Sequence, residues 1–375
     1  MATIEHNINN IMTIDGAFGE GGGQIIRTAL ALSAITGKGF KAVNIRKGRD
    51  KPGLKHQHLY CIKALKDLCN AKAIGDELGS EELIFLPQKL SARALMIDIK
   101  TAGSITLVLQ ALLLPSIFAE RDMRIKLIGG TDTSWSMPID YFSNILLHHI
   151  KRFADIELSL EKRGYYPKGQ GKVDIKIRQQ YRSIDFSDIE SMLEFLWDEK
   201  RPINLTERGN LVLIKGISHA SSTLELQQVA TRQARAAKVM FSRLDCPTNI
   251  QVSYTNTECP GSGIVLWANF VKDQEFADLL HNNTVRLCSD VLGEKGIKSE
   301  LIGEKAAKNL LETINTDACV DRFLADNLIP FMAFFGGSIK VEEITEHTKT
   351  NIDVVERFLP VKFQIEDHII TVKRI

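Results

Sequence analysis

The sequence predicts an α+β fold built from three β-α-β-α-β-β repeats, the last of them partial in sequence. Helices pack on four-stranded sheets, and a small α/β domain is inserted. Three observations predict this. The same order of short strand-like runs and helically spaced apolar runs occurs twice over residues 11–178. A shortened copy of that order returns over 321–374. The stretch between, 209–315, does not follow it and reads as the insert.

In the first copy, residues 11–15 read as a strand, and a glycine run from Gly19 to Gly23 follows. Ile26, Ala29, Leu30 and Ala34 mark an apolar helix face, with Ile25 beside it. Phe40 to Ile45 is a second strand, 55–69 a second helix, and strands near 72–75 and 82–86 close the unit. The second copy has a strand at 95–99, a helix from Gly103-Ser104 to about Phe118, a strand at 124–128 and a GGTD loop. Pro138 suits the first turn of a helix reaching about Phe153, and strands near 156–160 and 172–178 follow. The insert is expected to contain a strand over 210–215, a helix over 223–242, strands near 248–254 and 263–270, and a helix through Val285–Leu292. The third copy has helices near 321–335 and 350–358 and strands near 338–344, 361–366 and 368–374. The expected domains are thus 1–208 (repeats one and two), 209–315 (insert) and 316–375 (repeat three).

Hydrophobic residues make up 44% of the 375 and charged residues 25%, enough to bury a core without covalent staples. Lys and Arg (47) balance Asp and Glu (46), so any binding of a polyanion has to come from a local patch. The six cysteines form no C-x-x-C pair, and MATIEHNINN holds no apolar signal core. Reduced thiols in a cytoplasmic protein, or a nuclear one in a eukaryote, are expected. The most apolar stretch, Ile105 to Ala119, is too short to span a bilayer.

Several segments carry candidate chemistry. In GEGGGQIIRT (19–28), glycines between a strand and a helix allow backbone N–H groups to approach an anion. The spacing is that of neither a Walker A loop nor a dinucleotide fingerprint. Glu20 either faces the helix dipole in a tight turn or shares a divalent cation with a bound phosphate. In IRKGRDKPGLKHQH (45–58), Arg46, Lys47, Arg49, Lys51 and Lys55 form a basic loop before a helix, suited to phosphate or simply solvated. Gln110 is a lone amide on an apolar helix, either at the surface or on a ligand. GGTDTSWSMP (129–138) is the counterpart of the basic loop in the second copy, so both loops are expected to line one face. Asp326 reads as an exposed helix carboxylate or a ligand contact. His347 falls between a strand end and a helix start, with Thr350 or Asn351 as N-cap. A helix N-terminus favours neutral, nucleophilic imidazole.

Together these segments resemble the RNA 3′-terminal phosphate cyclase family over nearly the whole chain. The resemblance is carried by DGAFGEGGGQIIRTALALSAITG, IRKGRDKPGLKHQH, ELGSEEL, AGSITLVLQ, GGTDTSWSMP, RGYYPKGQG, ERGN, FLADNLIP and HTKTNIDVVERFLPV, in the family's order. It implies the three-repeat fold with an insert. It also implies an ATP-dependent conversion of an RNA 3′-phosphate to a 2′,3′-cyclic phosphate through a histidine–AMP and an RNA adenylate. Position by position, His347 would be the nucleophile and Glu20 the ligand of a Mg or Mn ion. Gln110, Pro138 and the segment Phe323, Leu324, Ala325, Asp326, Asn327 would contact ATP. Arg27, Arg46, Arg49 and Gln57 would bind phosphates of the nucleotide or of the RNA end. Phe323 stands where tyrosine is common, Asn327 where glutamine is common, and Gln170 interrupts a glycine triplet. The family also has a non-catalytic branch that acts in ribosome assembly and lacks the histidine; His347 and Glu20 argue against it here. Enolpyruvyl transferases share a related repeat architecture, but the motif order does not fit them.

Overall fold

A computed structural model describes residues 11–272 and 284–375. Repeat one is β1 (Met12–Asp15), α1 (Gln24–Thr36), β2 (Phe40–Val43), α2 (His56–Cys69), β3 (Lys72–Ile74) and β4 (Leu83–Leu86). Its sheet has the order β1-β2-β4-β3, with β1 and β2 parallel and the other pairs antiparallel. Repeat two begins with β5 (Leu95–Asp98), α3 (Ile105–Ile117) and β6 (Met123–Gly129). One continuous helix follows, composed of α4 (Ile139–Tyr141), a π-helical stretch (Phe142–Leu146) and α5 (Leu147–Ile150). Strands β7 (Ala154–Lys162) and β8 (Gly171–Gln179) complete it, and the sheet order β5-β6-β8-β7 copies the first. Pro138 is the N-cap of α4 rather than a first-turn residue.

The third repeat is not confined to the C-terminus. After α6 (Ile189–Asp198), the three-residue β9 (Ile203–Leu205) pairs in parallel with a strand about 135 residues later and supplies the first strand of the third sheet. The insert then intervenes: β10 (Asn210–Ser221), α7 (Val229–Met240), β11 (Thr248–Thr255), β12 (Ser262–Val271), β13 (Val285–Leu292) and α8 (Ser299–Asn315), with sheet order β11-β10-β12-β13. Repeat three resumes with α9 (Arg322–Phe335), β14 (Gly337–Lys340), α10 (Glu346–Phe358), β15 (Val361–Glu366) and β16 (Ile369–Arg374). Its sheet, β9-β14-β16-β15, has the topology of the other two.

Val285–Leu292, expected as a helix, is therefore a strand. Eight residues are too few for periodicity to separate a strand from a buried helix, and the antiparallel register with β12, Phe270 opposite Val285, decides it. The helix expected over 223–242 starts later: a 3₁₀ turn occupies Ser222–Leu224, and Gln228 in the left-handed region precedes α7. The strand expected over 338–344 ends at Lys340.

Helices of different repeats meet in one apolar centre. Helix α1 packs on α2, α3 and α10, and α9 packs on α10. Aromatic rings tie the repeats together: Phe153 stacks on Phe335 at 3.7 Å, Phe118 meets Phe334 at 5.0 Å, and Phe40 meets Phe358 edge-on at 6.0 Å. All six cysteines are free thiols. Among the described residues no helix is long and apolar enough to cross a membrane.

Candidate active site

The glycine run shapes a backbone cradle at the start of α1. Gly21 has φ 59°, a left-handed conformation that side chains disfavour. Gly23 is the N-cap of α1, and no side chain caps that end, so first-turn N–H groups are left to face an anion. A Cβ at Gly23 would lie 2.1 Å from His58 Nε2, so only glycine fits there. The Lys55 N–H donates to His58 Nδ1 at 2.9 Å, which puts the ring proton on Nε2, and that atom has no partner. Burial, with Arg27, Arg46 and Lys55 adding to it, lowers the His58 pKa to about 3, so the ring is neutral.

Three arginines surround the cradle. Arg27, on the first turn of α1, is buried, and its Nε has no partner. Arg46, held at φ 58°, also has an unpartnered Nε. Among the described residues neither forms an ion pair. Burial lowers the pKa of both. Arg46 is half-buried, whereas Arg27 is withdrawn from water, which is costly for a guanidinium without a counter-ion; an anionic ligand would offset that cost. Arg49 instead holds Glu20, its Nε donating to the Glu20 carbonyl at 2.9 Å and its Nη2 to Oε2 at 3.2 Å. The Glu20 side chain is 55% exposed and so remains open to a ligand.

His347 stands on the first turn of α10, not before the helix. Thr345 is the N-cap, and its hydroxyl accepts the Thr348 N–H at 3.0 Å. Thr350 and Asn351, expected as caps, lie inside the helix: the Thr350 hydroxyl donates to the Glu346 carbonyl at 2.6 Å. The cap moves upstream because Thr345 is itself anchored. Asp326 Oδ1 accepts from the hydroxyls of Thr345 (3.0 Å) and Thr348 (2.8 Å). Asn351 donates to the Asp326 carbonyl at 2.6 Å and accepts from the Thr28 hydroxyl at 2.8 Å. Helices α1, α9 and α10 are thus bound together beneath the imidazole. A Cβ at Gly22 would lie 3.1 Å from His347 Cε1 and 3.5 Å from Nδ1, so the half-buried ring rests on the glycine cradle. Burial lowers its pKa below the ordinary histidine value; Glu20 opposes this, and Arg27 and Arg49 reinforce it.

Beside the cradle, Gln24, Arg27, Gln110, Asp326, Asn327 and Asn351 line a cleft of about 60 Å³. Gln110 Nε2 donates to Asn327 Oδ1 at 2.8 Å, a bond that joins two walls of the cleft. A small-molecule site needs roughly 300 Å³ or more, so a nucleoside cannot enter while the cleft keeps this shape. Phe323 is 48% exposed, with the Arg322 guanidinium 4.9 Å from its ring centre. Burial raises the Asp326 pKa to about 7, against the two threonine hydroxyls that lower it.

The structure thus gathers Glu20, Arg27, Arg46, Arg49 and His347 around the glycine cradle, and Gln110, Asp326 and Asn327 around the adjoining cleft. It does not bring every expected side chain there. Leu324 and Ala325 are fully buried in the core, so only their backbone could meet a ligand. Pro138 is buried, and Gln57 is half-buried at the start of α2. Sequence reasoning missed Thr28, His58, Thr345, Thr348 and Asn351. The one local signal was the triplet Gly21-Gly22-Gly23, whose smallness implies a partner pressed against it.

A family model described as RNA 3′-terminal phosphate cyclase matches residues 18–365. The chain is similar to the protein named RNA 3′-terminal phosphate cyclase from Pyrococcus abyssi, 42% identical over 360 residues that cover 96% of each chain. The protein of the same name from Pyrococcus furiosus is 43% identical over 357 residues, 95% of each chain. That from Saccharolobus solfataricus is 40% identical over 358 residues, 95% of this chain and 96% of the relative. The chain belongs to this family.

Proposed function

We propose, with that membership as premise, that this protein uses ATP to convert an RNA 3′-phosphate into a 2′,3′-cyclic phosphate, and that His347 carries the AMP between them. One observation carries the reading: a neutral imidazole rests on an uncapped helix N-terminus beside two arginines that form no ion pair among the described residues. Such a place suits a polyphosphate and a nucleophile together. Nδ1 and Cε1 face Gly22, which leaves Nε2 as the attacking atom.

The steps balance without further reactants. His347 Nε2 forms a bond to the α-phosphorus of ATP, and pyrophosphate leaves. An oxygen of the RNA 3′-phosphate then attacks the phosphoramidate, the imidazole leaves, and an RNA–AMP anhydride results. The neighbouring 2′-hydroxyl attacks the activated phosphate, loses its proton, and AMP leaves. Imidazole divides a difficult activation into easier displacements. The last step has the advantage of intramolecular attack. Arg27 and Arg46 would hold phosphates, and Arg49 would exchange its contact with Glu20 for one. Gln110, Asp326, Asn327 and Phe323 would receive the nucleoside once the Gln110–Asn327 bond opens.

Glu20 fits a divalent cation of the Mg or Mn type. It offers one hard, accessible carboxylate next to a phosphate cradle, the mode in which Mg²⁺ shares substrate phosphates. When bound, the ion would offset charge on the transferring phosphoryl group.

The test is labelling with ATP carrying a radioactive α-phosphate. The expected result is an acid-labile protein–AMP adduct in the wild type and none in a folded His347→Ala variant. Equal labelling of that variant would overturn the assignment.

A further inference from the structure

Most large apolar side chains of this protein are buried, but Trp135 is 99% exposed and Tyr166 is 77% exposed. They stand on neighbouring loops. Asp132 forms a parallel bridge with Tyr165, and the Thr131 N–H donates to the Gly164 carbonyl at 2.9 Å. Trp135 has φ 66°, in the left-handed region that a bulky residue rarely adopts. The loop is clamped on either side of it, with the Ser136 hydroxyl donating to the Thr133 carbonyl at 3.1 Å and lying 3.0 Å from the Thr133 hydroxyl. The backbone is held so as to present the indole outward.

Both loops are mounted on a buried polar cluster between repeat two and the insert. Arg163 donates to Asp132 at 3.1 Å and to Asp140 at 2.7 Å. Tyr165, next to exposed Tyr166, turns inward, and its hydroxyl meets His219 Nδ1, on the insert strand β10, at 2.8 Å. A Cβ at Gly261 of the insert would lie 2.2 Å from the Tyr165 ring. Asp132, Asp140 and His219 are close enough together to hold a cation, but the guanidinium of Arg163 already supplies that charge. The other end of the Trp135 loop is fastened to the helix that supplies Gln110: the Met137 carbonyl accepts from the Thr106 hydroxyl at 2.8 Å, one turn of α3 before that residue.

We propose that Trp135 and Tyr166 form a stacking platform for bases of the RNA strand 5′ of its terminal phosphate, and that the insert buttresses this platform. Rigid exposed aromatics beside an anion-binding site are how single-stranded RNA is gripped without sequence preference, since every base has a stacking face. Lys168, exposed on the Tyr166 loop, supplies a positive charge for the intervening backbone. The loop's attachment one turn from Gln110 ties the platform to the helix that forms a wall of the cleft. This inference rests on the RNA 3′-end chemistry proposed above.

The test separates the two. Trp135 is the exposed one of three tryptophans, Trp197 being half-buried and Trp267 buried. Titration with a ten-nucleotide RNA ending in a 3′-hydroxyl, without ATP, is expected to quench wild-type tryptophan fluorescence, and Trp135→Phe is expected to abolish that signal while retaining most of the affinity. Trp135→Ala with Tyr166→Ala, followed by fluorescence anisotropy of labelled RNA, is expected to weaken binding about tenfold or more. With 3′-phosphate substrates the double variant is expected to raise KM for the ten-nucleotide RNA, leave kcat unchanged, and leave KM for a dinucleotide unchanged. Trp135→Gly relieves the left-handed backbone and is expected to weaken binding, less than the double variant, while folding at least as stably as wild type. Wild-type affinity in the double variant, or equal losses for ten and two nucleotides, would overturn the platform. Absence of the AMP adduct would overturn only the catalytic reading, since the 3′-hydroxyl titration needs no chemistry.

Discussion

Replacing Asp326 by asparagine tests how the helix that carries His347 is mounted. Asp326 Oδ1 takes both threonine hydroxyls at the N-terminus of α10, while the residue also lines the cleft. Burial raises its pKa from 3.8 to about 7. In the window between those values the unfolded chain has lost this proton and the folded chain keeps it. Folding then takes up a proton, so the contribution to stability is fully present below pH 3.8 and is lost as pH rises to about 7. At 1.36 kcal/mol per pH unit the whole gap corresponds to about 4 kcal/mol. Part of the side chain still meets solvent at the cleft, so about 2 kcal/mol is the reasonable expectation. Asparagine keeps one acceptor for the hydroxyls and does not titrate. Asp326→Asn should therefore exceed wild-type stability by about 0.7 kcal/mol at pH 5 and by about 2 kcal/mol at pH 8. Urea unfolding of both proteins at the two pH values gives the difference directly. Buried Asp140 and Asp290 titrate in both proteins, so their effects cancel in the comparison; Asp321, whose charge helps to raise the Asp326 pKa, is part of the difference measured. Parallel stability curves from pH 5 to 8 would refute the reasoning.

Three further outcomes are expected around the cradle. Gly22→Ala places a methyl 3.1 Å from His347 Cε1 and must shift the ring by a few tenths of an ångström; adduct formation should fall about 10- to 100-fold while the melting temperature stays close to wild type. Arg27→Met removes a buried guanidinium that has no ion-pair partner among the described residues. Stability should hold or rise by about 1 kcal/mol, while adduct formation drops about 100-fold; a clear loss of stability would show that Arg27 is structural. Because the His347 pKa lies below the usual 6.5, the imidazole stays neutral as pH falls through that value. The single-turnover rate of adduct formation should be flat from pH 8 to 6.5 and decline only further into acid; a midpoint at or above 6.5 would contradict the geometry.

Local sequence carried much of this. The glycine-rich run 19–23, the basic loop and the helically spaced apolar runs are short-range signals, and the elements they imply are present. What was illegible depends on contacts far along the chain. The segment Ile203–Leu205 is three residues long and has no periodicity; only its pairing with Gly337–Ile339 makes it a strand. The start of α10 was misplaced because Thr345 is a strong cap only when Asp326 orients its hydroxyl. Gln110 was legible as an amide out of place on an apolar helix, but not its bond to Asn327, 217 residues away.

The repeats also explain why these distant residues meet. In each repeat the second strand runs into the second helix through one connection. In repeat one that connection is the basic loop between Val43 and His56, with Arg46 and Arg49. In repeat two it runs from Gly129 to Ile139 and carries Trp135. In repeat three it runs from Lys340 to Glu346 and delivers His347. The preceding connection, from first strand to first helix, is the glycine cradle in repeat one, a short turn in repeat two, and the whole insert in repeat three. Because α1, α9 and α10 pack together, equivalent strand ends converge, as ligand sites do at the carboxyl ends of strands in other open sheets. On the function proposed above, each copy would have specialised one connection: phosphate grip, RNA platform, nucleophile. Placing the insert in the third copy's counterpart of the cradle puts it beside the second copy's loop, where His219 and Gly261 hold Tyr165. Gly261→Ala, which forces a methyl into that ring, should therefore weaken the grip on long RNA without removing the His347 adduct.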